Sequence, residues 1–192
     1  MSAQFDETVS RGDQSPIAVL EEEHVLILRA LDVLEAGLAQ VESGASVGGA
    51  FFGELAEFFR NFADRHHHGK EEEILFRYMV EEMDYARRSG PVGVLSSEHE
   101  VGRAHVRAMS EAASRLETAS EAARRLVDEG RAYVALLRAH IEREDHKVFP
   151  LVEDLLGPEE RTALMAAFSR FEAAEGGKES PEKYAALIDR LA

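Results

Sequence analysis

The chain has 192 residues, enough for one well-buried domain, and no cysteine, which excludes disulfides, thiolate metal ligands and cysteine nucleophiles. Its net charge of −15 argues against nucleic acid and anionic membranes as partners, because both demand a clustered basic surface. No apolar run approaches the ~20 residues of a membrane span. Residues 1–20 lack the basic-then-apolar order of a secretory signal, and with the missing cysteines this sets the expectation of a cytoplasmic protein.

Residues 1–15 are polar and are expected to form a flexible N-terminal segment. Beyond them, Gly and Pro cluster at 44–49, 89–93, 157–158 and 176–181, and between these breakers apolar residues recur at helical spacing. A first helix is predicted over 17–42, capped by Ser15 with Pro16 at its first position. A second, long helix is predicted over 50–87, a third over 91–117 and a fourth over 120–155, with Pro150 expected to kink or end the last. Shorter helices are predicted over 159–174 and 182–191. No segment has strand period. The expected class is all-α: an antiparallel up-down four-helix bundle over 16–156, with 157–192 as a C-terminal helical extension packed on it.

The eight histidines give this frame its chemistry. Each long helix carries at least one. His67 and Glu71 are four apart, as are His140 and Glu144, so each pair shares a helix face. Height along the helices gives a second test. His24 lies 18 residues before Glu42 and His67 lies 17 after Ala50; His99 lies 18 before Glu117 and His140 lies 19 after Glu121. At ~1.5 Å per residue these mismatches are small, which sets His24 level with His67 and His99 level with His140. The set His24, His67, Glu71, His99, His140 and Glu144 therefore reads as a dinuclear metal site. Imidazoles with carboxylates suit iron, manganese or zinc better than calcium or magnesium. The pair His68 and Glu72 has the same spacing as His67 and Glu71. Lys70, Glu72, Glu73 and Glu142 read as solvated charges. His105 and His146 read as solvent-facing or outlying groups. Tyr78 and Tyr133, seven residues from Glu71 and His140, are expected to face the core near the site.

The stretches EEEHVLILRALDVLE, FADRHHHGKEEEILF, GPVGVLSSEHEVGRAHV and LLRAHIEREDHKVFP resemble the four helical signatures of hemerythrin-like HHE cation-binding proteins. The resemblance spans roughly 17–156, and the tail GPEERTALMAAFSRFE is similar too. It implies a four-helix bundle around a non-haem centre of two iron ions, oxo- or hydroxo-bridged, with manganese or zinc less suited. It implies His24, His67, Glu71, His99, His140 and Glu144 as ligands, and it favours His67 with Glu71 over His68 with Glu72. Two departures stand out. Oxygen-carrying hemerythrins have a histidine where this chain has Arg103, and cluster-repair members often carry an N-terminal domain with cysteines, a residue type this chain lacks. The missing histidine leaves a more open site. The expected function is binding or reduction of small oxidants (dioxygen, peroxide, nitric oxide), with catalase- or peroxidase-like activity and a redox partner of unknown identity. The alternative is an iron store, iron donor or redox and oxygen sensor without turnover.

Overall fold

The computed structural model describes residues 15–116, 120–174 and 181–192, so all of the expected loose segment except Ser15 lies outside the described residues. Regular structure among the described residues is entirely helical. The first rod is α1 (Pro16–Glu42). Its N-terminus is made as the sequence indicates: Ser15 accepts a hydrogen bond from the Ile17 N–H at 3.2 Å, and Pro16 follows it without wasting a donor. Ser15 also donates to Glu153 at 2.6 Å, which ties this end to the fourth rod.

The second rod is continuous but changes winding. It runs through α2 (Gly49–Phe58), the π-wound turns π1 (Phe59–His68) and π2 (Glu71–Leu75), and α3 (Phe76–Glu81). It stops at Glu81 rather than at the expected residue 87. Asp84 there takes φ 57°, a left-handed conformation that no α-helix continues. The third rod is α4 (Gly90–Ala113), and the fourth joins α5 (Ser120–Arg143), π3 (Glu144–Val148) and α6 (Phe149–Leu155). The rod runs to the expected residue 155, and of the two outcomes expected at Pro150, a kink or an end, the end does not occur at Pro150. The π-wound turn immediately before it shifts the backbone bonding from i→i+4 to i→i+5, and the chain stays helical to Leu155. Then α7 (Pro158–Ala174) packs on α1 and π2, and α8 (Pro181–Leu191) packs on α1.

Two apolar clusters fill the interior, and the rods cross from one to the other in alternating order. Along α1 the chain leaves the cluster of Ile17 and Leu20 and enters that of Ile27, Leu31 and Leu34. The second rod goes the other way, from Phe58, Phe59 and Phe62 to Leu75 and Met79; α4 goes from Leu95 to Val106 and Met109; the fourth rod returns from Leu137 and Ile141 to Val148 and Phe149. Tyr184 of α8 closes the first cluster edge-on against Phe58, ring centres 5.4 Å apart. The buried polar residues of all four rods fall between the two clusters, which are dry layers on either side of them.

The rods approach closely at Gly49. A Cβ built there would stand 2.2 Å from the Ala113 carbonyl oxygen, backbone against backbone, so neither side can yield without moving a helix end. Gly49→Ala is expected to destabilise the fold by about 1–3 kcal/mol, an overpacking cost. A lowered midpoint of denaturant unfolding at unchanged slope checks it.

Candidate metal centre

His24, His67, His99 and His140, one from each rod, converge with Glu71 and Glu144, and all six are 0–1% exposed. The i, i+4 pairs meet as their spacing dictates. His67 Nε2 lies 3.5 Å from Glu71 Oε1, and His140 Nε2 lies 3.2 Å from Glu144 Oε2. The rods also meet each other: His24 Nε2 is 3.4 Å from Glu144 Oε2, and His99 Nε2 is 3.4 Å from Glu71 Oε2. Glu71 thus offers one oxygen to each side. The two imidazole pairs match closely. His24 and His67 have ring centres 4.6 Å apart at 58°, and His99 and His140 have them 4.7 Å apart at 63°. The level placement inferred from residue counting is what brings each pair together.

Two groups of ligand atoms result here, each within 4.8 Å of one another: His24, His67, Glu71 and Glu144, and His68, Glu71, His99 and His140; Glu23, His66 and Glu172 form a third beside them among the described residues. His68 is the newcomer. On an α-helix it would point well away from His67, but the wider π turn rotates less per residue and keeps both rings inside. It lies flat on His99, ring centres 3.8 Å apart at 11°. Nitrogen lone pairs lie in the ring plane, so two stacked rings aim within nearly parallel, separated planes. An ion at the usual ~2.0–2.1 Å from His99 Nε2 therefore sits well off the plane of His68. The geometry supports His67 as the histidine that pairs with Glu71, and it makes His68 a neighbour of the cluster. Glu72 does not pair with His68.

The Nδ1 atoms reveal a part of the site that residue spacing did not flag. Glu23 accepts from His67 Nδ1–H at 2.9 Å, Glu72 from His99 at 2.6 Å, Glu98 from His140 at 2.9 Å and Asp145 from His24 at 2.6 Å. A carboxylate only accepts, so it fixes the proton on Nδ1 and leaves Nε2 to face the centre. The acid on each rod serves the histidine of the next, and the fourth rod closes the ring onto the first. The sequence signal was present: each of these acids is the immediate chain neighbour of a ligand-type residue, in E23–H24, E71–E72, E98–H99 and E144–D145.

Three expectations are corrected at this shell. Lys70, read as a solvated charge, is 0% exposed; its ammonium lies against Glu23, donates to Glu172 of α7 at 3.1 Å and stands 3.3 Å from His66 Nε2. Glu72, also read as solvated, holds His99 and accepts from Arg103 at 2.8 Å. The same π winding that admits His68 turns these residues inward. Tyr78 is half-buried on the cluster of Ile17 and Leu75, with Glu160 and Glu82 as its charged neighbours, and makes no approach to the histidines. Arg103 pairs with Asp64 at 2.8 Å, Glu100 at 2.7 Å and Glu72. Glu73 and Glu142 are exposed as expected. His105 bonds Glu129 at 2.7 Å, and the exposed His146 meets the Glu142 carbonyl at 3.1 Å. Buried Tyr133 lines a cavity beside His68, His99 and His140.

The centre fits a cation on its own chemistry. His24 Nε2, His67 Nε2 and all four oxygens of Glu71 and Glu144 are buried without a hydrogen-bond partner. Buried charges of this kind are stable only when paired or coordinating a metal. Electrostatics within the protein agree. Burial and the neighbouring Glu144 push the Glu71 carboxyl well above its ordinary range, while burial of Glu144 is outweighed by His140 and His24, which hold it low. Burial pulls His24 down, but Asp145 and Glu144 outweigh it and carry it up to about 9; burial and His24 push His67 down to about 4. Below pH 9 a cation must displace a proton from His24, and Glu71 must also give one up. Metal affinity is therefore expected to rise by up to about tenfold per pH unit per displaced proton, flattening for His24 above pH 9. Proton release on anaerobic metal titration in a pH-stat measures this directly; a constant release between pH 6 and pH 10 would contradict it.

Fold and site together define a protein that is helical over its described residues, with a buried cluster of histidines and carboxylates that could hold a cation. Residues 15–152 match the model of the hemerythrin HHE cation-binding domain. The chain belongs to that family. No curated protein matches it. No helix among the described residues is long and apolar enough to cross a membrane.

Proposed function

We propose that residues 16–156 form an antiparallel up-down four-helix bundle, with 157–192 packed on it, that holds two iron ions and binds or reduces dioxygen, peroxide or nitric oxide. The observation that carries this reading is the sharing of Glu71, whose two unpartnered oxygens face one histidine pair each. His24 and His67 would hold one ion, His99 and His140 the other, with Glu144 beside both pairs. Iron held there supplies electron exchange with a small oxidant.

The chain's own contribution is preorganisation. The four Nδ1 carboxylates fix tautomer and ring direction before any ion arrives. The apolar clusters cover the centre above and below. Within the centre, His99 Nε2 and His140 Nε2 stand 3.1 Å apart. Burial lowers His99, whereas the burial of His140 is outweighed by Glu144 and Glu98, so of the two His140 holds a second proton more readily. The alternative of a sensor without turnover draws on one observation: Glu172 of α7 reaches His67 through Lys70 and Glu23, so α7 is linked to a proposed ligand.

The test is anaerobic purification with metal counting, followed by exposure to hydrogen peroxide, nitric oxide and dioxygen in turn. About two irons per chain and peroxide consumption that vanishes in Glu71→Ala support the reading. Tightly held zinc with no response to any oxidant would overturn it. Spectral change on oxidant binding without turnover would decide for the sensor.

A further inference from the structure

Between π1, α4 and α5 lies a cavity of about 210 Å³. Its exposed wall surface is mostly apolar, with Val106, Leu136 and Leu137 among the lining residues; the charged side chains of Arg60, Asp64, Glu98, Arg103 and Arg107 also line it, and it reaches His99 and His140 of the candidate centre. A dry cavity of ~150 Å³ accepts benzene. This one is larger, and dioxygen, nitric oxide or hydrogen peroxide would leave most of it unfilled.

Two polar side chains in its wall have unused capacity. His68 is 4% exposed and neither of its ring nitrogens makes a hydrogen bond. Tyr133 is 2% exposed, and no hydrogen bond of its hydroxyl is found among the described residues. Burial and the nearby Asp64 push that phenol well above its ordinary pKa, so it is a neutral O–H donor. Gly102 keeps the space open. A Cβ there would touch Tyr133 Cε2 at 3.4 Å and Leu136 Cδ2 at 3.9 Å, so any longer side chain would grow into the cavity wall.

We propose that this cavity binds a small organic molecule with an apolar body of alkylbenzene size and one oxygen head, a hydroperoxide or its alcohol. The body packs on the apolar walls, and the head meets the Tyr133 hydroxyl and the His68 imidazole beside the His99–His140 pair. The inference deepens the oxidant-binding reading and rests on it only for the choice of a hydroperoxide head. It is a statement about binding and requires no bond to be made or broken.

The test uses two probes that share a body, 2-phenyl-2-propanol and cumene, titrated by calorimetry and ligand-observed NMR into the purified protein, with metal counted in the same sample. Both are expected to bind saturably at one site. Gly102→Leu should weaken both by about tenfold or more through lost volume, and Leu136→Phe provides a second filling variant should Gly102→Leu fail to fold. Tyr133→Phe should weaken the alcohol by up to about tenfold, one hydrogen bond, and leave cumene unchanged. The proposal is overturned if neither probe binds, if a folded filling variant binds both as before, or if Tyr133→Phe affects the two probes equally. Probe binding in a sample that takes up no metal would sink the oxidant reading and leave the cavity site standing.

Discussion

Replacing Glu71 by alanine is expected to reduce bound metal from about two ions per chain to near zero, because in the proposed reading its carboxylate would serve both positions at once. Its oxygens lie 3.5 Å from His67 Nε2 and 3.4 Å from His99 Nε2, which belong to opposite histidine pairs. A ligand that served one ion alone would on removal leave a count of about one. His68→Ala is the matched control. His68 lies equally deep and next in sequence to a proposed ligand, but its ring is stacked on His99 and cannot aim at the same ion. Its removal is expected to leave the metal count at about two. Alanine at Asp145, which only orients His24, should lie between these cases, with affinity about 10–100-fold lower. Elemental analysis after exhaustive dialysis orders the three variants.

The second large effect concerns stability and turns on Glu23. Its carboxylate accepts from His67 at 2.9 Å and from His66 at 3.1 Å and lies against the ammonium of Lys70, all in the interior. Burial alone would raise it, but those two histidines and Lys70 outweigh that and hold it far below the usual carboxylate range. Glu23→Ala strands Lys70, which is 0% exposed, with only the half-buried Glu172 to answer its charge. Breaking a buried pair in this way costs about 3–5 kcal/mol. Lys70→Met removes the other partner by an apolar group of similar length, packed near Phe168, and the remaining carboxylate keeps both histidines. Its cost should be much smaller, and the double variant should recover most of the loss, as replacing a whole buried pair often does. Denaturant unfolding of the four proteins completes the cycle. Additive losses would mean that Lys70 and Glu23 are not a coupled unit.

The rods themselves were legible in the sequence because their signals are local. Ser15 with Pro16, the Gly and Pro clusters and the spacing of Leu20, Ile27, Leu31 and Leu34 place α1 to within a residue. The counting that set His24 level with His67 also succeeded, since it needs only rise per residue and short connections. What the sequence hid was the winding of the second and fourth rods. Periodicity assumes a constant turn, and π1, π2 and π3 break that assumption where the polar residues concentrate. For that reason Lys70 and Glu72, which read as solvated charges on a regular helix, turn inward. The carboxylate ring around the histidines was hidden for another reason. Glu23 serves His67, not its neighbour His24, so the partnership exists only between rods.

The most direct measurement is anomalous diffraction from crystals of the metal-loaded protein. The proposed reading predicts two peaks per chain, one held by His24 and His67, the other by His99 and His140, with Glu71 reaching both and His68 bound to neither. A single peak, or a peak ligated by His68 in place of His99, would contradict the account.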